Sequence, residues 1–298
     1  MQIKILFILA LACLGQSLIR LRSSSLRNPS CILRLSSFSG RASFLTDKDN
    51  IYLATIRRRA VEATKRALAN ELRLLEIEFP PIRANDPTSA GTFDASVEFV
   101  YDYIRDPMWN ELGDQEPRLV VFPERSEMEI AKNRWGTAVP PSWTLTYIDS
   151  LLNGNEPTST SPSVLVIVAP GFNIPEYIDV ERISEKAFPQ ASIVIVNGFI
   201  SRLRAGFYPS FLYPKLAMVT KSFYSRFEQV FHVSPIAVMG ERLGSYKVRQ
   251  YPEEWEILLR NSSPGAYDVI DSSEAEPDAK AAWKFATEQF KKRTGRLF

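Results

Sequence analysis

The chain has one histidine, His232, and two cysteines, Cys13 and Cys31, and those counts restrict its chemistry at once. Zinc takes about four His, Cys or carboxylate ligands, and a nucleophile needs a base beside it. Both cysteines lie in the first 44 residues, where six basic side chains occur and no Asp or Glu before Asp47. That stretch reads as a removable leader. A chain starting near Leu45 has no thiol, which removes disulfides, thiolate metal sites and cysteine catalysis together. His232 sits within the apolar run Val230 to Val233, where a histidine satisfied by a neighbouring backbone group is the simpler reading than a catalytic base. No Gly-x-Ser-x-Gly elbow presents a serine nucleophile. No phosphate-cradling Gly-x-x-x-x-Gly-Lys-Ser/Thr occurs either. The turn Ala169, Pro170, Gly171, Phe172, Asn173 has one glycine where a dinucleotide fingerprint uses three. We expect no metal and no cofactor.

What remains is positional. In an open α/β sheet, ligands gather outside the carboxyl ends of the strands. The residues at those ends are Glu124 after Pro123, Pro170 with Gly171, and Asn197 with Gly198, and Arg202 and Arg204 follow shortly after. Asn197 offers a donor and an acceptor, Glu124 a charge, and the arginines could hold an anion. Ordinary turn chemistry uses the same residues. A second candidate is the segment Phe199 to Tyr213, where Phe207, Tyr208, Phe211 and Tyr213 accompany the two arginines. Aromatic and guanidinium groups are enriched at the centres of protein interfaces, although they could equally cap the sheet. Exposure separates the two.

The elements that must position these residues alternate between helical and strand periodicity. Ile51 to Asn70 reads as a helix with Ala60, Ala63 and Ala67 on one side, leading into an apolar strand from Leu74 to Phe79. Phe93, Val97, Val100 and Ile104 recur at helical spacing. Leu119 to Phe122 is a short strand, and Ser126 with Glu129 reads as a capping box opening a helix that Gly136 closes. Val164 to Ala169 and Ile193 to Val196 are apolar on both faces, as strands are when helices cover both sides of a sheet, with a helix-like segment Tyr177 to Phe188 between them. Val230 to Val233, Tyr246 to Gln250 and Glu256 to Leu259 follow with short connections and suit antiparallel edge strands. The fold class is therefore α/β: a helix-covered, mostly parallel, three-layer Rossmann-like sheet with antiparallel edge strands and a C-terminal helix. The expected organisation is a leader over 1–44, a single α/β domain over 45–260, and a linker with a C-terminal helix over 261–298. Trp283, Ala286 and Phe290 form that helix's apolar stripe, which either packs on the parent domain or docks a partner.

The leader has two parts. Lys4 followed by the apolar run Ile5 to Leu14 suits a signal peptide over about 1–17, too short for a bilayer span of roughly twenty residues. From about 18 to 44, Arg20, Arg22, Arg27, Arg34 and Arg41 stand among hydroxyls, the acid-poor make-up of a transit peptide. The pair in series resembles the bipartite leader that leads through the secretory pathway into a complex plastid. Removing it leaves 30 basic against 34 acidic residues, so no general nucleic-acid footprint survives. No transmembrane segment is expected after it.

Several landmarks recur in order. Ala67 to Ala69 precede Glu76, Ile77, Glu78, Phe79 and Pro80; Phe122, Pro123 and Glu124 precede Ala131 and Trp135. Ala169 with Pro170 ends one strand, Asn197 ends the next, and Arg249, Tyr251, Pro252 and Trp255 come near the end. From about Ile51 to Arg260 this resembles the plastid domain-of-unknown-function family nineteen ninety-five, with Glu124 in place of Asp and Gly198 in place of Pro. That family includes the low photosystem II accumulation 3 type proteins, assembly helpers for photosystem II, and a domain fused to a chloroplast adenylate kinase. The resemblance implies a plastid auxiliary protein, stromal or on the thylakoid surface. It would act without catalysis by binding a protein partner, such as a thylakoid membrane-protein assembly intermediate, through Phe207, Tyr208, Phe211, Tyr213, Trp283 and Phe290. The alternative is a phosphometabolite- or nucleotide-binding enzyme or regulator using the rim of Glu124, Pro170, Gly171, Asn197, Gly198, Arg202 and Arg204.

Overall fold

The computed structural model describes residues 51–79, 89–112, 116–155, 161–171, 173–236, 244–260 and 267–295, and the leader read over 1–44 lies outside them. Nine strands among these form one sheet: β1 (Leu74–Glu78), β2 (Arg118–Phe122), β3 (Trp143–Tyr147), β4 (Val164–Val168), β5 (Ser192–Val196), β6 (Glu228–Pro235), β7 (Ser245–Gln250), β8 (Trp255–Arg260) and β9 (Tyr267–Ser273). Their spatial order is β3-β2-β4-β5-β1-β6-β7-β8-β9. Pairing is parallel from β3 to β6 and antiparallel from β6 to β9. The helices are α1 (Ile51–Ala69), α2 (Ser89–Tyr103), α3 (Met108–Glu111), α4 (Arg125–Trp135), α5 (Ile148–Leu152), α6 (Ile174–Arg182), α7 (Ile200–Arg204), α8 (Pro214–Ser222) and α9 (Ala279–Thr294).

Successive side chains of a strand point to opposite faces, so each wholly apolar strand feeds two cores. Val120, Phe122, Val166 and Val194 join Ala60, Ala63 and Ala67 of α1, Val97 and Val100 of α2, and Trp135 of α4. Leu119, Val121, Leu165, Ile167, Ile193 and Ile195 meet Ile148 of α5, Tyr177 and Val180 of α6, Leu203 of α7, and Leu216 and Val219 of α8. The helices following β1 and β2 therefore cover one face, and those following β3, β4 and β5 cover the other. Three pairs of neighbouring strands, β2 with β4, β5 with β1 and, at the edge, β3 with β2, send their chains to opposite faces. Crevices in open α/β sheets form at such points.

Three sequence expectations need correction. The strand read as apolar from Leu74 to Phe79 carries Glu76 and Glu78 on the face opposite Leu75 and Ile77. Helix α4 begins at Arg125, two residues before the expected start, and its capping box is formed by Glu124 and Glu127 rather than Ser126 and Glu129; Gly136 closes it at φ 57°. The supposed linker beyond Arg260 contains β9, which pairs with β8 and extends the sheet to Ser273. Asp268 and Asp271 hide it from periodicity, because an outermost strand tolerates charge and is protected by it against pairing with other chains. Edge strand β3 and the short helix α5 were not anticipated. Helix α9 is capped by the Asp278 carboxylate, which accepts from Ala281 N–H, and packs Ala282 and Ala286 with Trp283 over Ile257.

Candidate functional site

The strand ends expected to form a ligand rim are filled by the protein's own polar atoms. Asn197 follows β5 at φ 52°, in the left-handed region where Asn is among the better-tolerated non-glycine residues. Its N–H donates to Ile77 O at 2.8 Å, its Oδ1 accepts from Phe79 N–H at 2.9 Å, and its Nδ2 donates to Ser96 Oγ at 2.9 Å. With no exposed surface, Asn197 stitches β5 to β1 and to α2. It acts as a clamp at the second crevice, not as a ligand group.

Gly171, after β4, donates its N–H to Glu176 Oε2 at 2.8 Å, and Asn173 Nδ2 donates to Glu176 Oε1 at 2.7 Å. The first turn of α6, where an anion would be attracted, is thus occupied by an internal carboxylate. A Cβ on Gly171 would stand 2.1 Å from the Tyr177 hydroxyl, and that hydroxyl donates to Gly198 O at 2.9 Å, closing β4 against β5. Gly198 is required for a similar reason: a Cβ there would lie 2.4 Å from Ile195 Cγ2, with Pro170 also close. The first crevice is acidic as well. Burial pushes the Glu127 carboxyl up to about 7, and the neighbouring Glu176 and Glu124 add to the rise. An anionic metabolite would meet three carboxylates there.

The two arginines are held differently. Arg204 Nη1 donates to Glu76 Oε2 at 2.9 Å, and its Nη2 donates to the carbonyls of Tyr224 and Phe227 at 3.2 and 2.8 Å. Arg202 lies over the Phe199 ring at 4.1 Å. Arg204 is thus committed to Glu76 on β1, whereas Arg202 stands within electrostatic reach of both Tyr177 at the rim and Glu78 on β1.

Sequence reading missed a buried polar layer on the α7 side of β1, β6 and β7. Register places Glu78 beside His232, His232 beside Arg249, and Ser234 beside Lys247. Ser201 Oγ donates to Glu78 Oε2 at 3.1 Å, and Lys247 pairs with Glu276. Burial pushes Glu76 up to about 8 despite Arg204, and it raises Glu78 against the hydrogen bond from Ser201. His232 is held well below the usual histidine range by burial, with Lys247 and Arg204 adding like-charge repulsion. Its Nε2 lies 2.8 Å from Ser234 Oγ, a hydroxyl rather than the expected backbone group, and its ring packs on Trp255 at 5.0 Å. The available signal was the spacing of Glu76 and Glu78, two carboxylates two residues apart within an otherwise apolar strand. Among the described residues, no group of three or more His, Cys, Asp or Glu is placed to hold a metal ion.

The aromatic segment behaves differently. Phe207, Phe211 and Tyr213 are 66%, 81% and 37% exposed, next to Leu212 and, on α8, Met218. Tyr208 is half-buried and anchors the loop, with its ring 6.4 Å from Tyr177, 5.9 Å from Tyr213 and 5.1 Å from Phe207. Beneath it runs a groove of about 460 Å³ bounded by Leu203, Tyr208, Phe211, Leu216, Thr220 and Lys221. Trp283 and Phe290 do not join this surface: Trp283 packs onto the α9 core and Phe290 is half-buried on the same helix. No helix among the described residues is long and apolar enough to cross a membrane.

A family model described as Domain of unknown function (DUF1995) matches residues 53–283. No curated protein and no solved structure matches the chain. Running from α1 through the whole sheet into α9, the family match makes this chain a member of the DUF1995 family.

Proposed function

We propose that the protein is a non-catalytic plastid auxiliary factor that holds a protein partner, in the manner of the photosystem II assembly helpers its family resemblance implies. The observation that carries this reading is the contrast between a rim closed by Asn197, Glu176 and Tyr177 and an exposed aromatic surface over Phe207 to Tyr213. Large apolar side chains left in water by a folded domain mark interaction sites, and Phe and Tyr are typical anchors of such sites. The partner in this reading is a thylakoid membrane-protein assembly intermediate. Helix α9 contributes stability rather than contact, because its apolar stripe is spent on the sheet.

The alternative, an enzyme or regulator binding a phosphorylated metabolite at the rim, receives less support. Its anion position is occupied by Glu176 and surrounded by carboxylates. Thermal-shift screening against nucleotides and sugar phosphates tests the choice. No compound is expected to raise the unfolding temperature. A shift that Asn197 or Gly171 substitutions removed would favour the metabolite reading instead.

A further inference from the structure

The surface that carries the proposed function also has an unusual charge environment. From Lys186 to Phe227 the sequence contains no Asp or Glu, whereas Lys186, Arg202, Arg204, Lys215, Lys221 and Arg226 are basic. Two of these already have a carboxyl partner, Arg204 in Glu76 and Arg226 in Glu185. Lys215 and Lys221 are exposed on α8 and have no ion-pair partner among the described residues. Positions 215, 218 and 221 repeat at a spacing of three, which puts Lys215, Met218 and Lys221 along one outward ridge while Leu216 and Val219 face the core.

The apolar side chains of this surface have a distinct arrangement. Phe207, Leu212 and Met218 are 60–66% exposed, yet none of them lines the groove. A peptide seated in the groove would leave all three in water. A planar apolar phase would take them together with Phe211, and it would place Lys215 and Lys221 at the level of the headgroups. Aromatic and aliphatic residues inserted a few ångströms into a bilayer boundary, with basic residues beside them, are the physical requirements of peripheral binding to anionic lipid. The loop is also pre-organised for it. Phe207 N–H donates to Arg202 O, Leu212 and Tyr213 N–H both donate to Pro209 O, and Tyr208 ties the loop to the core, so little ordering remains to be done on binding.

We infer that residues 207–221 form a peripheral docking surface for an anionic lipid bilayer. Phe207, Phe211, Leu212 and Met218 enter the interface, and Lys215 and Lys221 meet the acidic headgroups. This rests on the reading of 207–213 as the working surface and extends it to a second contact, the bilayer in which the proposed membrane-protein partner resides.

The test uses the full chain and protein-free vesicles, with hydrogen exchange as a local readout so that binding by any other part of the chain does not count. Vesicles of phosphatidylcholine with phosphatidylglycerol are expected to protect amides of 206–222, pure phosphatidylcholine is not, and salt is expected to weaken the effect. Replacing Lys215 or Lys221 by Ser should lower the affinity about fivefold each, since a basic side chain near an anionic surface contributes ~1 kcal/mol. Phe211→Ser should lower it about tenfold. Thermal unfolding of the same variants should be unchanged, because all these side chains are exposed. Absence of protection with either vesicle overturns the inference, as does equal protection on neutral vesicles or protection that survives the substitutions. Protection by poly-glutamate without vesicles would overturn it in favour of an acidic peptide. Failure here leaves capture of a protein partner from detergent extract untouched, so the two readings fail separately.

Discussion

Asn197 and Phe211 are fourteen residues apart and illustrate opposite uses of one strand connection. At Asn197 every polar atom of the side chain has a partner inside the protein, in a backbone conformation that only surrounding contacts can hold. At Phe211 a large apolar ring is 81% exposed. A closed site at the position where the fold usually binds ligands, followed by an open surface just outside it, indicates that the carboxyl ends of the strands became structure. In the proposed reading, the exposed loop between α7 and α8 carries recognition. Buried polar groups persist where they are satisfied, and exposed apolar groups persist where something else covers them.

The largest effect that could break this comparison is at the clamp. Asn197→Leu leaves Phe79 N–H and Ser96 without their partner and puts a branched side chain in the left-handed region. It should lower stability by roughly 3–5 kcal/mol, measured by urea unfolding. A loss of activity or binding without loss of stability would contradict a structural role.

The next effect concerns the buried layer and depends on pH. Glu76 has its folded pKa raised from 4.5 to about 8, so the folded state binds the extra proton and this group's contribution is lost as pH rises from about 4.5 to about 8. His232 has its folded pKa depressed below 6.5, so its contribution is lost as pH falls below that value. Between about 4.5 and 6.5 the two slopes oppose each other. Wild-type stability should therefore change less steeply there than above pH 6.5, where it should fall by roughly 2–4 kcal/mol toward pH 8. Glu76→Gln should reduce the alkaline fall, with Glu78 and Glu127 keeping the remainder, and His232→Gln should extend it to lower pH. A wild-type curve that rises between pH 6.5 and 8 would refute this assignment.

Gly198→Ala is expected to cost about 1–3 kcal/mol, because its Cβ would overlap Ile195. The smallest expected change in stability is at the open surface: Phe211→Ser should alter it by no more than about 0.5 kcal/mol. A larger loss would mean that the ring is packed rather than presented.

Much of this architecture was legible because apolar strands must be covered. The sequences Leu119 to Phe122, Val164 to Ala169 and Ile193 to Val196 have no polar face to show to water, which dictated helices on both sides and hence parallel pairing. Helix α9 and the Gly136 terminus were equally readable from local signals. Strand β9 was not, since Asp268 and Asp271 on an outer strand look like a solvated linker. The aromatic run of 207–213 was visible in the sequence, but sequence could not separate exposed Phe207 and Phe211 from inward-facing Tyr208, because exposure depends on how α7 and α8 pack on the sheet. Nor could it reveal that Arg204 answers Glu76 across 128 positions in sequence. Glu76, Glu78, His232 and Lys247 converge only once β1 lies beside β6, and no spacing along the chain encodes that neighbourhood.

The most direct measurement is quantitative capture of photosystem II assembly intermediates from detergent-solubilised plastid membranes by the full chain, compared with a Phe207→Ser/Phe211→Ser variant of equal thermal stability. A loss of capture of about tenfold or more is expected, the energy of one or two buried aromatic anchors. Capture that is unaffected by the double substitution, or lost only when Asn197 or Glu176 is replaced, would contradict the account.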